Sequence, residues 1–220
     1  DTLYLDPGCV LTSNQPVNKQ VTIIGTGYSL ESGTHEVAAI NAALYLEAAG
    51  IKVMGVAVTS SSSKTWYVRA TNITIERCSL FEMSITAQYA TIRQCIGTSF
   101  HGNGSATGSY CTIENCIFTI NSDNAPIRNL QNATIRNNYM RNRNTGSSTY
   151  CMTDMRYSLI ENNIILHVNN PDKLFNNISS CVFSHNVLSC AEGTYSYVSA
   201  ESNLMLGEAD EAKIFTMEGA

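Results

Sequence analysis

The chain is poor in charged residues, and this scarcity argues against several classes of protein. Of its 220 residues only 14% are Asp, Glu, Lys or Arg, against about a quarter in average globular proteins. Lys and Arg number 13 against 18 Asp and Glu, which gives a net charge of -5. Nucleic acid is therefore not expected as the main partner, because phosphate binding needs a basic stripe. The sequence also lacks a run of 18 apolar residues, so it predicts no membrane span.

Signatures of catalysis and of cofactor binding are missing as well. The sequence contains no Cys-x-x-Cys, no nucleophile elbow, no Walker sequence and no Rossmann glycine pattern. We therefore expect neither a metal site nor a cofactor, with Ca²⁺ as the one exception if the protein were a lyase. The chain opens at Asp1 without Met or signal peptide, which is typical of a processed or trimmed segment.

What the chain does contain is a repeat. "NATIRNNYM" at 132–140 recurs with small changes as "YATIRQCIG" at 89–97 and "YSLIENNII" at 157–165. We align the copies on the residue three places after a buried aliphatic and call it the ladder position. The ladder positions are Thr26, Val56, Cys78, Cys95, Cys116, Asn138, Asn163, Asn186 and, in a weaker ninth copy, Asn203. Their mean spacing is about 22 residues, which is typical of solenoid repeats.

The columns of this alignment predict strands. Three places before the ladder the middle six copies carry Ile or Phe, whereas four and two places before it they carry mostly Thr and then Glu or Arg. This alternation with period 2 indicates a strand with one buried face. The place just before the ladder is rich in Asn, which predicts a bend with a left-handed backbone. The leucine consensus of a helical solenoid is absent.

These columns together predict an all-β fold, a single-stranded right-handed parallel β-helix of about nine rungs of about 22 residues. The β-helix domain is expected at 1–206, with an acidic C-terminal cap or tail at 207–220.

The ladder column mixes Asn with Cys, and both residue types suit a stacked interior position. Equivalent residues of adjacent rungs lie about 4.8 Å apart, so inward Asn side chains can bond to one another from rung to rung. Cys78, Cys95 and Cys116 are expected to be stacked free thiols, with a disulfide or a bound metal as alternatives. On the outer side, Glu and Arg alternate two places before the ladder. Each acid is expected to lie between two bases. These charges either neutralise one another or form a charged strip that binds acidic sugar.

The Thr-Ile-x-x-Asn repeats with Asn at a bend resemble the pectin-lyase-like superfamily of parallel β-helices. The opening "DTLYLDPGCVL" is similar to the "GDTIYLxPGxY" start of secreted bacterial members. The resemblance covers roughly 1–206 and implies a secreted, periplasmic or cell-surface bacterial protein. It leaves activity open, because the superfamily includes lyases, hydrolases, esterases, adhesins and proteins without known activity.

Candidate site residues lie mainly in the longest rung. Arg141, Arg143 and Asp154 lie in or beside its loop, and His167 follows one turn later. A lyase of the resembled superfamily would need an Arg or Lys base and carboxylate-bound Ca²⁺, and a hydrolase would need two or three close carboxylates. The acids are too sparse to match either pattern. Tyr195 and Tyr197 alternate with small residues and are the predicted sugar-stacking pair.

Two hypotheses follow for function. The first is a protein associated with a polysaccharide or cell-surface glycan, by binding and with lyase-like cleavage of an acidic glycan as an extension. The second is a non-enzymatic structural or adhesin-like module of a larger envelope protein. The sequence gives no indication of oligomeric state.

Overall fold

A computed structural model describes residues 1–27, 36–59, 64–102, 108–120, 125–146 and 149–208. In these ranges every regular element is a β-strand, and the strands pair in parallel. The chain forms a right-handed parallel β-helix, as the repeat predicts, and the right hand follows from the twist of the strands. The described residues include no helix long and apolar enough to cross a bilayer.

The strands form three faces, which we call A, B and C. Face A contains nine strands, namely Thr2–Tyr4, Thr22–Ile24, Lys52–Met54, Thr74–Glu76, Thr91–Arg93, Thr112–Glu114, Thr134–Arg136, Leu159–Glu161 and Val182–Ser184. Face B contains a pair, Val10–Leu11 and Ala39–Ile40, and a six-stranded sheet, Ile96–Gly97, Ile117–Ile120, Tyr139–Asn142, Ile164–His167, Val187–Leu188 and Leu204–Met205. Face C contains Gln15–Val17, Leu44–Leu46, Thr65–Val68, Glu82–Ile85, Ser99–Gly102, Gly108–Ser109, Ile127–Arg128, Leu130–Gln131, Met152–Arg156 and Phe175–Ser179.

Face A reproduces the register of the sequence alignment. Ile92 pairs with Ile75 on one side and with Ile113 on the other, and the Ile column from 75 to 160 is fully buried. The first rung, which starts at Thr2–Tyr4 and pairs with Thr22–Ile24, was not counted among the repeats. Its side chains are exposed, so it lacks the buried aliphatic column on which the alignment rests.

From Lys52–Met54 onward, the three-residue strands of face A are bounded by left-handed bends. The predicted bend just before the ladder is confirmed, with φ between 52° and 56° at Arg77, Gln94, Asn115, Asn137, Asn162 and His185. A second bend, which the sequence analysis missed, lies six places before the ladder, with φ between 51° and 59° at Asn72, Tyr89, Tyr110, Asn132, Tyr157 and Ser180. The amide N–H of a bend residue bonds to the next rung, as from Tyr110 to the Gln131 carbonyl at 3.2 Å. The rung-to-rung bonding therefore sets the bend whatever the side chain.

The ladder side chains form a continuous interior column, which we call the internal column. The Nδ2 of Asn163 donates to the Ile135 carbonyl at 2.9 Å and to Oδ1 of Asn186 at 3.0 Å, and Oδ1 of Asn163 accepts from the backbone N–H of Asn138 at 2.9 Å. Asn186 makes the same contacts with Asn203, which supports the weak ninth copy. Thr26 is the exception, because it is exposed and bonds outside the column.

The cysteines of the internal column are free thiols, as are all the other cysteines. The Sγ of Cys95 lies 3.3 Å from the Arg93 carbonyl of its own strand and 3.7 Å from the Ile75 carbonyl, the counterpart of the carbonyl that Asn163 uses. The neighbouring Cys116 thiol raises the pKa of Cys95, and burial raises that of Cys78. Both sulfurs therefore keep the proton that they donate. In the described part of the chain, no group of three or more His, Cys, Asp or Glu is arranged as a metal site.

The outer charges of face A form separate clusters. Glu76 binds Arg93 at 2.8 Å and Arg77 at 2.9 Å, and Glu114 binds Arg136 at 2.7 Å. Arg93 and then Arg77 hold the pKa of Glu76 below its ordinary value, against the opposite effect of burial. In register Glu114 lies between two bases, as expected, whereas Glu76 and Glu161 each have a base on one side only. Glu76 uses its own neighbour Arg77 as the second base, because the bend turns that side chain outward.

Candidate functional site: the tyrosine edge

The four candidate catalytic residues do not come together. Arg141 is half-buried on the outer side of face B, and Arg143 is exposed just after the same strand. Asp154 lies in a bend of face C, and His167 is fully buried inside the coil. Sequence proximity failed here because one rung of 25 residues passes around all three faces.

His167 has an evident structural role. Its Nδ1 accepts the backbone N–H of Asn170 at 3.1 Å, and its Nε2 lies 3.1 Å from the hydroxyl of Thr149. The Thr149 hydroxyl donates to the Gly146 carbonyl, so Nε2 of His167 carries the proton. Burial lowers the pKa of His167, and a neutral ring fits because the Asn170 N–H occupies the second nitrogen. An enclosed, neutral imidazole cannot reach a polymer outside the coil.

Asp154 shapes the backbone of face C. It belongs to a column of left-handed residues, Asn129, Asp154 and Asn177, with φ of 56°, 55° and 51°. Its Oδ1 accepts from Nδ2 of Asn177 in the next rung. The carboxylate therefore replaces the side-chain oxygen of an Asn at a repeated bend, and it does not face Arg141 or Arg143 on face B.

Tyr195 and Tyr197 cover the C-terminal end of the core. The Tyr195 hydroxyl accepts the backbone N–H groups of Leu174 and Phe175 at 2.9 and 3.0 Å and donates to the Asp172 carbonyl at 2.5 Å. Burial raises the pKa of Tyr195 to about 12. The Tyr195 ring lies 5.6 Å from that of Tyr197. Of the predicted sugar-stacking pair, Tyr195 is therefore anchored in the protein, whereas Tyr197 is 44% exposed and contacts the rings of Tyr195 and Phe183. The predicted acidic cap lies almost entirely in 209–220, outside the described residues.

A further group of exposed aromatic side chains lies at the corner where face C passes into face A. Tyr89, Tyr110 and Tyr157 occupy the left-handed bend six places before the ladder, and we call this group the tyrosine edge. Their exposed fractions are 52%, 50% and 63%. The equivalent bend in the other rungs is occupied by Asn72, Asn132, Ser180 and Gly50.

A tyrosine at this bend is unfavourable for the fold in two respects. A left-handed backbone costs a residue with a bulky Cβ substituent roughly 1–2 kcal/mol, whereas Gly and Asn adopt it readily. Leaving half of a large aromatic ring in water also forgoes most of the free energy that its burial would contribute. Neither property stabilises the coil, so the tyrosines point to a role outside folding.

Two of the three rings form a stack. The centroids of Tyr89 and Tyr110 lie 5.3 Å apart with an angle of 16° between the ring planes. This separation follows the rung spacing of about 4.8 Å. The stack leaves a pre-arranged aromatic surface along two rungs, with Tyr157 continuing the same column two rungs further on.

A second polar group lies on the outer side of face C. The Glu82 carboxylate accepts from Thr65 Oγ1 at 2.8 Å, contacts Nε2 of His101 at 3.1 Å and pairs with Arg128 at 3.4 Å. Nδ1 of His101 lies 3.2 Å from the Gly102 carbonyl. Both ring nitrogens are engaged within the protein, so this cluster connects four rungs and leaves no nitrogen of His101 free to act on a substrate.

Comparisons with known proteins agree on the fold and add no activity. No protein-family model matches the sequence, and no curated protein matches it either. Among solved structures, the chain resembles QnrB1, "a plasmid-mediated fluoroquinolone resistance protein", with a TM-score of 0.51 and 10% identity over 97% of this chain and 94% of that one. This likeness supports the parallel β-helix fold. It does not support membership of the pectin-lyase-like superfamily.

Proposed function

We propose that the protein is a carbohydrate-binding module of the parallel β-helix type, and that the tyrosine edge contacts the glycan. The observation that carries the proposal is the stacked pair Tyr89 and Tyr110, half-exposed and held in a backbone conformation that disfavours tyrosine. Aromatic rings bind the apolar faces of sugars by burying them from water. As part of the same proposal, the protein acts outside the cell, where such polymers occur.

The proposal is for binding without cleavage. The candidate groups for lyase or hydrolase chemistry lie on different faces or inside the coil, and the His101 nitrogens are engaged with Glu82 and Gly102. Hydrolysis needs its carboxylates a few ångströms apart around one bond. The described residues provide no such pair on the tyrosine edge.

The test is retention of the protein on immobilised polysaccharides, followed by calorimetry with the retained polymer. The double variant Tyr89→Asn/Tyr110→Asn is expected to lose binding while remaining folded, because Asn already occupies this bend in other rungs. Tyr4→Asn is the matched control, since Tyr4 is 72% exposed and lies on face A away from the edge. Equal retention of all three proteins would contradict the proposal.

The second hypothesis, a structural or adhesin-like module of a larger envelope protein, is compatible with the same fold. Its distinguishing result is the absence of retention on every polysaccharide, together with specific capture of a protein partner that survives the double substitution. The fold alone does not choose between the two, because one solenoid fold serves many functions.

A further inference from the structure

The surroundings of the tyrosine edge indicate what kind of glycan it takes. Resting on the proposed carbohydrate binding, we propose that the ligand is a neutral polysaccharide that lies parallel to the coil axis. The charged and polar side chains around the edge carry this inference.

The columns on both sides of the stacked pair are uncharged. One place before the tyrosines lie Gln88 and, one rung beyond Tyr110, Gln131. Two places after them lie Thr91 and Thr112, which project from face A and are partly exposed. Amides and hydroxyls can both donate to and accept from the hydroxyl groups of a sugar.

The nearest acids and bases on face A are already paired. Arg93 binds Glu76 at 2.8 Å, and Arg136 binds Glu114 at 2.7 Å. Little uncompensated positive charge is therefore left beside the stacked pair for a uronate or sulfate group. The net charge of -5 also opposes the approach of a polyanion. Among the described residues, Arg156 is exposed directly before Tyr157 and is a nearby cation that could favour an acidic sugar.

The orientation follows from the repeat. Equivalent side chains recur once per rung, at intervals of about 4.8 Å along the axis. A polymer across the axis would meet one bend residue, whereas a polymer along it contacts Tyr89, Tyr110 and then Asn132 and Tyr157. A linear chain with a short repeat suits this straight row.

The experiment compares linear neutral polymers, such as mixed-linkage β-glucan and glucomannan, with polygalacturonate and alginate at low and high salt. We expect a neutral polymer to bind with an affinity that salt leaves unchanged, since the contact involves no ion pair. Tyr110→Asn is expected to weaken this binding about tenfold, and Arg156→Gln is expected to leave it unchanged.

The outcomes separate the two levels of the proposal. Binding of a uronate polymer that falls with salt and with Arg156→Gln would overturn the neutral ligand and leave carbohydrate binding intact. Failure of every polymer to bind would overturn the proposed function as well. The axial orientation is tested with oligosaccharides of increasing length. Their affinity for the native protein is expected to rise until they span the row from Tyr89 to Tyr157. An affinity that stops rising at the shortest bound oligosaccharide would contradict the axial orientation.

Discussion

In the internal column, after the buried Val56, three thiols precede four amides, and we call these two groups the thiol half and the amide half. Asn138 Nδ2 donates to the Ile113 carbonyl one rung back at 2.9 Å, whereas Cys116 Sγ lies 3.8 Å from the equivalent Ile92 carbonyl and 3.3 Å from the Glu114 carbonyl of its own strand. Only the amide also bonds to the next side chain, as between Asn138 and Asn163 at 3.0 Å. The carbonyl of the core Ile one rung back thus faces a polar ladder side chain in both groups of rungs, whereas the link between ladder side chains occurs only among the amides. Packing around a small residue holds the thiol half together.

The largest effect is expected from Asn163→Leu. The substitution leaves the backbone N–H of Asn138 without its acceptor and the Ile135 carbonyl without a donor, at about 1–3 kcal/mol for each buried group. We expect the free energy of unfolding to fall by about 3–5 kcal/mol, measured by urea denaturation. Asn163→Cys is the matched variant and should lose clearly less, because the equivalent slot holds Cys in three rungs. Equal losses of unfolding free energy for Asn163→Leu and Asn163→Cys would contradict the inference that a thiol can replace the amide in this column.

The second largest effect is a dependence of stability on pH, which we expect from a buried histidine in the amide half. His167, in the amide half, has a lowered pKa because of burial. The unfolded chain then binds a proton below about pH 6.5 that the folded chain does not bind. Stability is therefore complete above that pH and falls as the pH drops through 6.5, by at most about 1.4 kcal/mol per unit for this residue. Urea midpoints between pH 8 and 5 measure the slope, and His167→Gln should reduce it. An unchanged slope in that variant would assign the dependence to other groups.

A smaller effect of opposite sign is expected from Cys116→Asn, which extends the amide half by one rung. The new Nδ2 would reach the Ile92 carbonyl and Oδ1 of Asn138. In the native protein, Oδ1 of Asn138 accepts from the backbone N–H of Cys116. We expect an increase in the free energy of unfolding of about 0.5–1.5 kcal/mol, measured by thermal and urea unfolding. A decrease would show that the thiol half has no room for the larger amide.

The smallest effect on stability is expected at the tyrosine edge, in the left-handed bend six places before the ladder. Tyr157 has no aromatic neighbour within stacking distance among the described residues, and it adopts φ of 51°. Tyr157→Asn should therefore raise the free energy of unfolding by about 0.5–1 kcal/mol, because Asn tolerates this conformation better. Differential scanning calorimetry measures the change. A clear loss of stability would mean that Tyr157 serves the fold, which would weaken the functional interpretation of the edge.

Much of the interior could be predicted from the sequence, and little of the surface site. Ile92, Cys95 and Asn138 recur at fixed places because stacking imposes the same environment on every rung. The tyrosine edge escaped prediction because Tyr is an unexpected residue for a left-handed bend. The available signal was the column containing Asn72, Tyr89, Tyr110 and Asn132, in which Asn marks the bend and Tyr departs from it.

The sequence by itself determined the winding of this protein, since the period of its aliphatic and ladder residues allows only a coil with like residues stacked. The tertiary structure alone decided which polar and aromatic side chains share a surface. Arg141 and Asp154 are close in the chain and lie on different faces, whereas Tyr89 and Tyr110 are 21 residues apart and stack at 5.3 Å. The physical reason is that one rung surrounds the whole core, so neighbours along the surface are neighbours in register and not in sequence.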